Sequence, residues 1–141
     1  MKDVIVKVTT VQSMENGEND TIELTAEGKF AKKDDSYLIK YSDAFISDDN
    51  EPIRTTVKVG SDGAVSVTRS GSYQSRFVIE RDKRCNCLYQ TPYGTMTMGF
   101  YGEKIENNLN EKGGKLSLWY TVDVNGAELN RNQMTISIKE V

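Results

Sequence analysis

Between Thr21 and Phe30 the chain changes polarity at every step. Ile22, Leu24, Ala26, Gly28 and Phe30 fall on one side, and Thr21, Glu23, Thr25, Glu27 and Lys29 on the other. A period of two is that of a strand with one dry face and one wet face, whereas a helix repeats its apolar positions at three and four. The alternation recurs along the whole sequence. Val4, Val6 and Val8 form one set, Tyr37, Ile39 and Tyr41 another, and Ile53, Thr55, Val57 and Val59 a third. Val65 with Val67, Phe77 with Ile79, and Cys85, Cys87 and Tyr89 continue it. Met96, Met98 and Phe100, then Leu116, Leu118, Tyr120 and Val122, then Met134, Ile136 and Ile138 complete ten expected strands. One helical alternative stands beside them: Ile105 and Leu109 are four apart in EKIENNLNEKGG, a stretch that reads equally well as the polar end of the eighth strand.

The joints between these sets are turn-rich. Asn16-Gly17, Asp62-Gly63 and Asn125-Gly126 tolerate the positive φ of tight hairpins, and Ser70-Gly71-Ser72, Pro92-Tyr93-Gly94 and Gly113-Gly114 add further punctuation. Short connections pair sequential strands as an antiparallel meander. Only residues 42–52, SDAFISDDNEP, read as a long connection, either a lid or an ordinary loop. An open sheet of this size leaves two edges prone to association, which closure removes. The expected fold is all-β: a single antiparallel up-and-down barrel of about 8–10 strands, spanning 1–141 as one domain. With 141 residues, 37% of them apolar, the chain needs neither disulfide nor metal to fold.

A net charge of −3, scattered along the chain, lacks the basic stripe of a nucleic-acid binder. Lys32-Lys33 and the cluster from Arg81 to Arg84 read as solvated loops. The N-terminus carries a short apolar run unlike a signal peptide, and no stretch approaches the length of a membrane-spanning helix. The sequence therefore reads as soluble and cytoplasmic, without membrane insertion.

Several stretches resemble the YwiB-like family of uncharacterised bacterial proteins. They are TTVKV at 55–59, RSG at 69–71, RFV at 76–78, YGTM at 93–96, GKLSLWY at 114–120 and NQMTISI at 132–138, in order along nearly the whole chain. The resemblance implies a closed, lipocalin-like (calycin-type) β-barrel. It brings no catalytic residues, and the Cys85-Asn86-Cys87 stretch lies outside its pattern.

Histidine is absent, which rules out a Ser-His-Asp or Cys-His arrangement and a histidine-bearing zinc site. Cys85 and Cys87 share a strand face and supply at most half of a zinc site, so they read as small apolar packing residues. No metal, cofactor or catalytic residue is expected, and the chain reads as a non-enzyme. Tyr37, Tyr89, Met98, Phe100 and Tyr120 point to the barrel interior, where they either fill it or line a site for one small ligand. Arg69 continues the parity of Val65 and Val67 just before a turn, which places it at the inner rim. There its stem can be buried and its head left in water, either closing that end or meeting an anion. The leading expectation is a binding protein for a small apolar or amphiphilic ligand. The alternative is a protein-interaction or structural module acting through its outer face or as a homodimer. Trp119, opposite in parity to Leu118 and Tyr120, belongs to that outer face.

Overall fold

In the computed structural model, ten strands follow one another with only turns and loops among the described residues between them. Those residues are 1–14, 17–46, 52–70, 75–91 and 93–141, with the side chains of 43–46, 52 and 89–91 outside the description. The strands are β1 (Lys2–Met14), β2 (Asn19–Lys33), β3 (Ser36–Ile46), β4 (Pro52–Val59) and β5 (Val65–Ser70). They continue with β6 (Ser75–Ile79), β7 (Arg84–Thr91), β8 (Gly94–Asn110), β9 (Gly113–Val124) and β10 (Ala127–Glu140). Every ladder is antiparallel, and the order across the sheet is β6-β5-β4-β3-β2-β1-β10-β9-β8-β7. The chain thus runs up and down around a nearly closed barrel, with its first and last strands side by side in the middle of the order.

The period-two sets form the interior as their parity requires. Val4, Val6, Phe30, Ile39, Val57, Val65, Leu116, Leu118 and Ile136 are almost wholly buried, while the intervening polar residues face water. The question over Ile105 and Leu109 resolves to strand. A bulge between Gly102 and Lys104 inserts one residue and shifts the parity of β8, so that Ile105 and Leu109 turn inward beyond it. Residues 42–46 of the supposed long connection belong to β3, while 47–51 lie outside the described residues. Gly113 and Gly114 do not make a turn. They open β9, where a Cβ on either would overlap a backbone carbonyl, that of Ile138 or Asn108.

The one break in the ladder falls between β6 and β7. Here the turn at 80–83, with Asp82 at φ 60°, folds down onto β8. Asp82 donates its backbone N–H to the Gly102 carbonyl at 2.8 Å, and Gly102 donates its own to Lys83 at 3.3 Å. A side chain at Gly102 would overlap the Glu80 carbonyl, so glycine there is what lets the turn dock. Neither Asp82 nor Gly102 stood out in the sequence, because their requirement arises only from contact between distant elements.

A second irregularity concerns β2. It pairs with β1 along nearly its whole length, yet with β3 only from Gly28 to Lys33. Above the Gly28–Tyr41 pair the two strands separate, and β3 pairs with β4 only irregularly after Ser42.

Candidate functional site

The C-terminal ends of β1, β3, β5, β7 and β9 lie at one end of the barrel with the starts of β2, β4, β6, β8 and β10, and both termini lie at the other. These ends differ in filling. At the end carrying the termini, Phe30, Ile39, Val59, Leu116 and Ile138 pack together. Tyr37 stacks on Phe30 at 6.0 Å between ring centroids and donates its hydroxyl to the Leu109 carbonyl at 2.9 Å. Tyr37, expected in a binding wall, is therefore a strut of the filled half, as are Ile39 and Leu118.

The other half holds a cavity of about 550 Å³, open at the mouth. Its floor is aromatic and sulfur-bearing: Phe77, Phe100, Tyr120, Met98 and Met134. Phe100 stacks on Phe77 at 4.6 Å and stands tilted to Tyr120 at 6.2 Å, so the three rings form one rigid surface. Met98, Phe100 and Tyr120 thus come together in the wall of one hollow. The side chain of Tyr89 lies outside the described residues. Other hollows of similar size lie elsewhere, one among Asp62, Glu80, Lys83 and Ile105 and another among Met1, Lys2, Phe30 and Glu111, but neither has more than one aromatic ring in its lining.

Arg69 lines this cavity at its exposed rim, with Thr55 and Ser75 as its cross-strand neighbours. Its side chain forms no hydrogen bond or ion pair with any described residue. Arg76, across the same turn, has the opposite parity to Phe77 and lies exposed away from the lining. Among the described residues that line the cavity, Arg69 is the only charged one.

The wall opposite Arg69 is polar but neutral, and the reading of the sequence missed it. β5 and β10 stand five places apart in a ring of ten. From β10 come Asn130 and Asn132, and from the adjoining β1 Thr10 and Gln12. Asn132, only 6% exposed, donates its Nδ2–H to Asn130 Oδ1 at 2.6 Å. The signal was present: the parity of Val4, Val6 and Val8 continues into Thr10 and Gln12, and that of Ile138, Ile136 and Met134 runs back into Asn132 and Asn130.

Cys85 and Cys87 are free thiols, half-buried beside the β6–β7 break. Burial pushes both thiols above the usual range, and main-chain hydrogen bonds from Glu80 and Val78 offset this only in part. Both groups stay protonated at neutral pH, which suits packing better than nucleophilic or metal-binding chemistry. Among the described residues no cluster of three or more histidine, cysteine, aspartate or glutamate side chains is placed to hold a metal. Trp119 lies on the outer face, half-buried, with the Lys104 ammonium 5.0 Å from the centre of its ring. No helix among the described residues is long and apolar enough to cross a membrane.

The family model described as "Domain of unknown function (DUF1934)" matches residues 6–136. Among solved structures, the chain is similar to that titled "Crystal structure of ywiB protein from Bacillus subtilis", with a TM-score of 0.83 and 21% sequence identity over 99% of this chain and 92% of that one. At that identity the likeness is one of fold. No curated protein matches the chain.

Proposed function

The chain belongs to the DUF1934 family, and we propose that its barrel is a non-enzymatic, lipocalin-like binding protein for a small apolar or amphiphilic ligand. The observation that carries this reading is the difference between the two halves of the interior. In one half Phe30, Ile39, Val59 and Leu116 are almost wholly buried against one another, and the other leaves about 550 Å³ above a floor of stacked rings. That volume falls within the range of ordinary small-molecule sites, and an apolar lining with a few polar groups is their usual composition. The two methionines let the wall adapt to the shape of a guest. We place the protein in the cytoplasm, where two free thiols persist without oxidation.

The test is fluorescence titration with N-phenyl-1-naphthylamine, a neutral dye that brightens in apolar surroundings. Saturable enhancement by the wild-type protein, abolished by Leu24→Trp, supports the reading, because Leu24 lines the cavity and an indole there occupies it. No enhancement in the wild-type protein, or an equal signal in both, refutes it.

A second reading, association through a strand edge, draws support from β2. Among the described residues, the backbone of 20–27 has no ladder partner on its β3 side. Such an edge accepts an extended segment by main-chain pairing. Thr25→Pro removes a donor from it, and a shift from dimer to monomer in sedimentation would favour this reading.

A further inference from the structure

We infer that the guest of this cavity is an amphiphilic oxyanion, carboxylate- or phosphate-headed, whose head is held by Arg69 at the mouth and whose apolar chain lies on the Phe77–Phe100 floor. The inference rests on the ligand-binding reading above and deepens it.

Charge decides the head group. Arg69 is the single charged residue among the described lining residues, and no described carboxylate or carbonyl engages its side chain. Two other strand cations do have partners, Arg84 with Asp123 at 2.5 Å and Lys2 with Glu140 at 2.8 Å. A guanidinium directed over an apolar hollow, with no counter-charge in the wall, is complementary to an anion that the ligand itself brings. Its planar fork pairs two oxygens of a carboxylate or a phosphate at once.

Position decides the orientation. Arg69 follows Val65 and Val67, so its stem rises from the packed interior and its head reaches the mouth. The facing amides, Asn130 and Asn132, are neutral and already bonded to each other at 2.6 Å. They leave Arg69 as the sole pole for a charged head. Below lie Phe77, Phe100, Met98 and Met134, with the hydroxyls of Tyr41 and Tyr120 among them but no charged group. A charged head turned downward would be desolvated without a counter-charge, so the chain goes in first and the head remains at the rim.

The experiment is competition against bound N-phenyl-1-naphthylamine with three ten-carbon ligands: decanoate, decyl phosphate and decanol. In the wild-type protein at low ionic strength, at least one of the two anions should displace the dye at about tenfold lower concentration than decanol. Which anion does so identifies the head group. In Arg69→Met, which keeps the stem and removes the charge, that preference should vanish while decanol and the dye bind as before. Added salt should weaken the anion and leave the alcohol unchanged. Equal displacement by all three ligands in the wild-type protein, or an anion preference that survives Arg69→Met, overturns the inference while the cavity reading stands. A wild-type protein that binds no dye overturns the cavity reading itself, and the inference with it.

Discussion

The rings of Phe77 on β6 and Phe100 on β8 lie parallel to within 11° and 4.6 Å apart, bridging the one place where the barrel's hydrogen-bond ladder is broken. Inside the wall, therefore, stacking does the joining that backbone pairing does elsewhere. The docked turn at 80–83 does the same from the end of the break. The same two rings form part of the floor of the cavity, so this contact serves both closure of the fold and shape of the site.

Phe77→Ala should accordingly destabilise the protein by about 3–5 kcal/mol, the usual loss for a buried phenylalanine truncated to alanine. Phe77→Leu, which keeps most of the volume, should cost clearly less. Urea unfolding measures both. A loss below about 1 kcal/mol for Phe77→Ala would show that the break is held shut by the turn alone.

On the outer side, the pairing is ionic. Arg84 on β7 reaches across β8 to Asp123 on β9, with Nε to Oδ2 at 2.8 Å and Nη2 to Oδ1 at 2.5 Å. The bridge lies directly over Gly99, where any side chain would overlap the guanidinium. Gly99→Val should lower the urea midpoint, and should do so much less once Asp123→Asn has already removed the bridge. Additive effects in that double-mutant cycle would separate Gly99 from the ion pair.

The same bridge sets a pH dependence. The hydrogen bond from Arg84 holds the Asp123 carboxyl below the usual carboxylate range. A depressed folded-state value means that the contribution is fully present above the unfolded value, about 3.9, and fades as pH falls through the folded one. The difference in urea midpoint between wild type and Asp123→Asn should stay constant near neutrality and shrink only below about pH 4. Lys29 and Lys2 act likewise on Asp3 and Glu140, so the difference between the two proteins, rather than the wild-type curve alone, isolates Asp123. A difference that declines already at neutral pH would contradict the assignment.

Cys85 and Cys87 should react slowly with a disulfide reagent at neutral pH and faster as the solution is made alkaline, since burial keeps both thiols protonated. Replacing both by valine should retain the fold at a cost of roughly 1 kcal/mol each. Rapid reaction at neutral pH, or stoichiometric zinc lost in the double variant, would contradict a packing role.

Most of the barrel could be read from the sequence because side-chain parity is a local property. Each of the ten sets, from Val4-Val6-Val8 to Met134-Ile136-Ile138, occupies the strand it was assigned. Arg69 was likewise placed at the rim by its parity alone. What escaped was non-local. The docking of the 80–83 turn on Gly102, the ion pair seated over Gly99 and the splaying of β2 from β3 all depend on which distant strands meet. The division of the interior into a filled and an open half escaped for a related reason. Parity says which side chains point inward, but not at what height along the barrel axis, so Tyr37 and Tyr120 looked equivalent. Thr10, Gln12, Asn130 and Asn132 were overlooked because polar residues at inward positions end an apolar pattern, and the end of a pattern reads as the end of a core.

Methionine supplies the most direct test of the central claim, that the open half of the barrel takes a guest. The chain has five methionines. Met98 and Met134 line the cavity, whereas Met1 and Met14 are exposed outside it. In protein labelled with carbon-13 at the methionine methyls, titration with decanoate should move the Met98 and Met134 resonances together along a single saturable curve and leave Met1 and Met14 in place. Resonances of Met98 and Met134 that stay fixed throughout the titration would contradict a guest in this cavity.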